Sequence, residues 1–259
     1  MLPWRHNGIS AQAPRPRLTQ STVPPTMTTT ALTLISSMAT KQVLAELIAL
    51  YRHTLGAAAP AIELTSVGGV DAAKRIAAGE PFDGVVLGSD ALDKLIASGH
   101  VLADSRVDIV RSGVAVAVPA GAPNPDLSRE ESVKQAVLAA RTLGYSTGPS
   151  GVALAKLFER WGIAEQIAPR IITPPPGVPV GSLIASGEVA LGFQQLSELM
   201  HLEDIDVVGP LPAEIQIETV FAGGVVVRSG RAEAVRGVLG FMASTETARV
   251  KRESGMAGV

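Results

Sequence analysis

The chain has no cysteine. That excludes disulfides, thiolate nucleophiles and every cysteine-held metal or iron–sulfur site. Aromatic residues are 3% of the 259 positions, too few to build stacking platforms for nucleobases. Charge is sparse as well: 18% of residues are charged, and 22 basic side chains face 24 acidic ones. With no basic excess to neutralise phosphates, nucleic acid is excluded as an expected partner. The four histidines, His6, His53, His100 and His201, form no HExxH pair, and Walker, GxGxxG and GxSxG motifs are all missing. The sequence therefore points to no metal, no cofactor and no recognisable catalytic residue. The long uncharged run Leu18–Thr40 is rich in Thr, Ser and Pro, and it falls short of the roughly 20 mainly apolar residues of a membrane span.

What is abundant is small aliphatic residues. Hydrophobic residues reach 46%, so a core of Ala, Val, Leu and Ile fits one large domain or two lobes. Residues 1–26 read as a disordered leader dominated by Pro, Ser, Thr, Gln and Arg. Arg5, Arg15 and Arg17 precede any acidic residue, which fits a targeting segment. A start at Met27 is the blander reading. No apolar stretch of secretory length is present, since Ala31–Ile35 is too short and makes a good first strand.

From Ala31 onward, β-rich runs alternate with helical patterns. The expected strands are Leu32–Ser36, Ile62–Val67, Gly84–Gly88, Val107–Val118, Thr142–Tyr145, Val189–Phe193, Ile205–Val208 and Thr219–Val227. Helical spacing groups Val43, Leu44, Leu47, Leu50 and Tyr51 over residues 40–52, and Leu154, Leu157, Phe158 and Trp161 over 151–161. Residues 129–141 and 231–243 repeat the pattern. Such alternation predicts an α/β fold with a mainly parallel sheet, and a ligand beyond the carboxyl ends of its strands.

One stretch echoes another. Residues 76–90, IAAGEPFDGVVLGSD, and 184–198, IASGEVALGFQQLSE, share Ile-Ala-x-Gly-Glu, a later Gly, then Ser and an acid. The unit is a helix end, a Gly turn, a buried strand and a polar helix start. Two lobes that each carry this element are expected.

Three strand-to-helix junctions can hold a small anion: Ile35-Ser36-Ser37-Met38, Ser66-Val67-Gly68-Gly69 and Ser146-Thr147-Gly148-Pro149-Ser150-Gly151. Each sets hydroxyls and open N–H groups at a helix start, and Gly lets the backbone approach closely. Ordinary N-caps have the same composition, so the weight lies in three of them recurring across both halves. Arg111 stands in an otherwise apolar strand, where a charge needs a partner: it is either an oxyanion clamp or one half of a salt bridge. Gln194 and Gln195 end another apolar run and can offer amides to a ligand. Glu214 and Gln216 stay at the level of a surface turn, as do His201, Glu203 and Asp204.

In these residues the chain resembles the periplasmic molybdate-binding proteins of ABC importers, the type II solute-binding proteins. The likeness spans about residues 31–257. It rests on Leu32–Ile35 with Ser36-Ser37, on Ser66–Gly69 with Ala72–Gly79, on Phe82–Ser89, on Pro149–Val152 leading to Trp161-Gly162, and on Leu191-Gly192. The resemblance implies a two-lobed periplasmic-binding-protein-like fold with a cleft between lobes. Lobe 1 would take residues 27–109 and 220–259, lobe 2 residues 110–219, with crossings near Val110 and Thr219. It also implies hinge closure on a small anionic ligand, a monomer, and an ABC transporter membrane subunit as partner.

Carried over residue by residue, the family's contacts fall at Ser36 or Ser37, at Gly69 beside Gly68, at Ser150 beside Gly151, near Gly177 or Val178, and at Gln195. A serine and a tyrosine of the family pattern are replaced here by Gly69 and Gln195, a departure from molybdate toward carboxylate, with Arg111 and the Gln194-Gln195 pair as its ligands. Aconitate isomerase resembles the same binding proteins, and it implies the alternative of a proton shift on a tricarboxylate. The family implies the periplasm; the missing secretory signal leaves the cytoplasm open.

Overall fold

The computed structural model describes Met1, residues 30–175 and residues 178–259. The expected leader beyond Met1, the start at Met27 and the contact at Gly177 lie outside the described residues.

Local patterning accounts for the elements. Strand β1 (Leu32–Ser37) leads through a short turn into helix α1 (Lys41–Leu55), whose buried face is Val43, Leu44, Leu47, Ile48 and Tyr51. Strand β2 (Ile62–Val67), α2 (Gly69–Ala77), β3 (Gly84–Gly88) and α3 (Ser89–Ala97) follow. The long β4 (Val107–Pro119) leads to α4 (Glu130–Ala139), β5 (Leu143–Tyr145), α5 (Pro149–Arg160), α6 (Ala164–Ile167) and the two-residue β6 (Ile171–Ile172). The chain continues through α7 (Val180–Ala185), β7 (Leu191–Gln195), α8 (Leu196–Leu199), β8 (Ile205–Pro210), β9 (Glu218–Val225), α9 (Ala232–Ala243) and α10 (Ala248–Glu253). All eight expected strands form with ends shifted by a few residues. β6 is too short to leave a period in the sequence.

The strands run in the order β2-β1-β3-β9-β4-β7-β5-β6, with β8 also on β4. Pairing is parallel within each half, between β1 and β2, β1 and β3, β5 and β6, and β5 and β7. It is antiparallel wherever β4 or β9 takes part. The expected mainly parallel sheet is thus corrected to a mixed one. The two long strands joining the halves run against their neighbours, which periodicity cannot reveal.

Among the described residues, four apolar clusters cover the sheet. In the first half, one face packs on α1 and α9 through Leu34, Leu44, Phe221 and Leu239. The other face packs on α2 and α3 through Ile35, Ile76, Val85 and Leu92. In the second half, Val114, Val116 and Phe193 meet α5 through Leu154 and Phe158, while Ala115 and Ala117 meet α7 through Val180 and Ile184. Each fully buried Leu, Ile, Val or Phe contributes about 1.5–3 kcal/mol. Strand β4 belongs to both halves: its partner changes from β9 to β7 between Gly113 and Val114.

Candidate functional site

The carboxyl ends of β1, β2 and β3 converge with the junction of β9, β4 and β7. Ser36 and Ser66 are paired across β1 and β2, and their hydroxyls lie 2.9 Å apart. Ser36 is fully buried, and its Oγ also donates to the Ser37 carbonyl at 3.2 Å. Ser37 Oγ lies 3.4 Å from Thr40 Oγ1. Gly69, the first residue of α2, lies beside Ser37: an added methyl would stand in ordinary contact, 3.6 Å from Ser37 Cβ. The first and second junctions therefore form one surface of Ser36, Ser37, Ser66, Gly68 and Gly69.

From the second half, Gln195 ends β7 with its side chain buried, and its Nε2 donates to Thr219 Oγ1 at 2.9 Å. Thr219 opposes Ser112 on β4, so both side chains share a face of the sheet. A methyl on Gly88, at the end of β3, would touch Thr219 Cγ2 at 3.6 Å. Two buried polar atoms here have no hydrogen-bond partner: Ser112 Oγ and Gln195 Oε1. Unpaired buried polar groups cost about 1–3 kcal/mol each, so a pair flanking one threonine is a place where a ligand can repay the cost.

The third junction supplies α5. Ser150 is buried and its hydroxyl lies 3.2 Å from that of Ser146. Gly151 is required by close approach, since a methyl there would stand 1.5 Å from the Ser146 carbonyl oxygen. Among the described residues no side chain caps α2 or α5, which leaves their first-turn N–H groups to the solvent or an anion.

Two expected ligands have other employment. Gln194 Oε1 accepts from the Gly181 N–H at 3.0 Å, and its Nε2 donates to Glu198, so this amide ties β7 to α7. Arg111 is exposed and pairs at 3.6 Å with exposed Glu218. Strand alternation sets Arg111, opposite Val220, on the face away from Ser112 and Thr219. The clamp is thus replaced by the salt bridge that a charge in an apolar strand calls for. Val178 is exposed, and its N–H donates to the Pro175 carbonyl at 3.0 Å.

Ser112, Thr219 and Glu198 were not singled out by sequence reasoning. The first two are single hydroxyls in β-rich runs, indistinguishable from solvent-facing strand positions until the pairing is known. Glu198 did carry a signal, as the acid that closes the internal echo. Burial pushes its carboxyl above the ordinary range, against the opposing pull of the Gln194 amide. Among the described residues, no group of three or more His, Asp or Glu side chains stands close enough to hold a metal ion.

Comparison with known proteins gives the family and the fold. An aconitate isomerase from a Pseudomonas species is 39% identical over 232 residues, covering 88% of this chain and 87% of that protein. The periplasmic molybdate-binding protein of Azotobacter vinelandii superposes with a TM-score of 0.73 at 18% identity, over 87% of this chain and 98% of that one. A tungstate ABC transporter structure from Geobacter sulfurreducens gives a TM-score of 0.68 at 13% identity, over 86% and 98%. At such identities the structural likenesses show the two-lobed binding-protein fold alone. The family model for bacterial extracellular solute-binding proteins matches residues 32–257, nearly the whole described chain, and the chain belongs to that family.

Proposed function

We propose that the chain binds a small anion, an oxyanion or a carboxylate, between its two halves. The observation that carries this reading is the pair of unpartnered buried atoms, Ser112 Oγ and Gln195 Oε1, on either side of Thr219. Ser36, Ser37 and Ser66 with the N–H groups of α2 would receive one side of the ligand; Ser150 with those of α5 would receive the other. The donors are neutral, which suits a charge spread over several oxygens. If Thr219 donates to Oε1, the Gln195 amide turns its N–H₂ toward the ligand, a choice that the hydrogen-bond network leaves to the occupant. Arg111 is outside this set.

The halves would close as lobes about the two crossings near Val110 and Thr219, a reading supported by the change of partner of β4 between Gly113 and Val114. The bound anion would be passed to an ABC transporter membrane subunit, a reading supported by family membership. Titration calorimetry of residues 30–259 with molybdate, sulfate, citrate and trans-aconitate tests the proposal. At least one anion should bind, and Gln195→Leu should weaken it about tenfold. No binding by any member of the panel would overturn the reading.

A second reading is favoured by the 39% identity to the Pseudomonas aconitate isomerase. Here the anion is a tricarboxylate that undergoes a proton shift while bound. Proton NMR of trans-aconitate incubated with the protein decides it: growth of cis-aconitate signals supports turnover, and an unchanged spectrum leaves a binding protein.

A further inference from the structure

We propose that Glu198 is the proton-transfer residue of this cleft, acting on a bound unsaturated polycarboxylate. The inference rests on the isomerase reading and names the base that reading needs. Its support is the direction in which α8 presents the side chain. Successive residues of a helix turn by about 100°. Ser197 points to the other half of the molecule, where its hydroxyl donates to the Ala39 carbonyl at 3.1 Å, just past Ser36-Ser37. Leu199 points to α7, where it packs beside Gly181. Glu198 lies between those two directions, in the gap between the first turn after β1 and the start of α7.

The carboxyl is prepared for proton transfer. Gln194 donates to Oε2 while its own carbonyl is held by the Gly181 N–H, so the rotamer is fixed from two sides. Among the described residues no donor is bonded to Oε1. Of the described elements packed on α8, the C-terminal one brings charge: Gly255, which follows Lys251, Arg252 and Glu253, lies against Leu196 and Met200. Strand β7 and helix α7 carry no titratable side chain, nor does the turn Met38–Thr40, and the facing residues of β4 are Ala115 and Ala117. Lys41, exposed at the start of α1, and His201 and Glu203, exposed beyond α8, carry the charges at the ends of these segments. Burial keeps the Glu198 carboxyl closer to neutral pH than an ordinary glutamate, which suits a group that must both take and return a proton.

The step balances without any co-reactant. The Glu198 carboxylate takes a proton from the CH₂ beside the double bond. The C–H electron pair spreads over the three allylic carbons and the adjacent carboxylate. The double bond re-forms one position along, and Glu198 returns the proton to the far carbon. Substrate and product have the same composition, and the enzyme ends as it began.

The test compares wild type with Glu198→Gln, which keeps the shape and an acceptor for Gln194. Conversion of trans-aconitate should fall by about a hundredfold or more, with affinity by calorimetry changed less than about threefold. A wild type that converts and a Glu198→Gln variant that converts equally well would overturn the role of Glu198 and leave the isomerase reading standing. A wild type that binds and never converts would overturn the isomerase reading, and this inference with it. Should Glu198→Gln fail to fold, the wild-type pH profile decides. kcat should drop in acid with a limb above the ordinary glutamate range, and a flat profile would overturn the assignment.

Discussion

The two halves of the molecule contain the same element and use it differently. In the first, α2 is followed by Gly79 with φ 82°, β3 comes next, and Ser89-Asp90 starts α3. In the second, α7 is followed by Gly187 with φ 77°, β7 comes next, and Ser197-Glu198 lies in α8. Both turns need the left-handed backbone that glycine adopts without strain. The strands then diverge. Val86 and Leu87 are apolar core residues of the first half, whereas their counterparts Gln194 and Gln195 are buried amides. Asp83 anchors the first strand, where Leu191 packs in the second. Asp90 is exposed, whereas Glu198 is half-buried and its carboxyl raised. One copy is thus an ordinary strand and helix start; the other has placed polar groups at costly positions. Costly polar positions are where function is expected.

The largest expected effect comes from exchanging Asp83 for its counterpart. Asp83 accepts from the Thr33 N–H and hydroxyl, from Ser229 and from Arg231. Burial works to raise its carboxyl, but those donors outweigh burial and hold it below the usual range. Asp83→Leu should cost about 3 kcal/mol at pH 7, measured by urea unfolding, because Arg231 loses its partner. A depressed native pKa means that the stabilisation is complete above about pH 4 and is lost as pH falls through the native value. The deficit of the variant should therefore shrink in acid.

Gly84 and Gly192 test whether the two copies pack alike. A methyl on Gly84 would stand 2.7 Å from Leu34 Cδ2, and one on Gly192 2.3 Å from Ile184 Cδ1. Gly84→Ala and Gly192→Ala should each destabilise by about 2 kcal/mol in thermal or urea unfolding. A cost in one half alone would break the equivalence.

Gln195→Leu gives the second half the residue of the first. It should weaken anion binding by about 1.4 kcal/mol in calorimetry. Glu198→Gln reads the opposite linkage to Asp83. A raised native pKa favours folding below the unfolded value of about 4.3 and loses that contribution as pH rises through the native value. The variant should be more stable than wild type at pH 8, and equal to it near pH 4. The smallest effect belongs to Arg111→Ala. Its exposed ion pair is worth less than about 0.5 kcal/mol, and anion affinity should change less than twofold.

Much of the fold was legible because short periods report burial directly. The run Ile62–Val67 and the stripe Val43, Leu44, Leu47 and Tyr51 became a strand and a helix face as expected. Ser36 and Gly69 were legible as neighbours because strand-to-helix junctions collect at one edge of an α/β sheet. Arg111 was not, since its face depends on its register against Val220, and Ser112 and Thr219 acquire meaning only when β4 pairs with β9.

By itself, then, the sequence determined the alternation of elements, the absence of cysteine and the hydroxyl-rich junctions, all of which are local properties of composition and period. Only the tertiary structure decided which polar side chains meet: Gln195 with Thr219, Ser197 with Ala39, Arg111 with Glu218. Those pairings span 24, 158 and 107 residues, and a two-residue side-chain period cannot say which strand will lie beside which, or in what register.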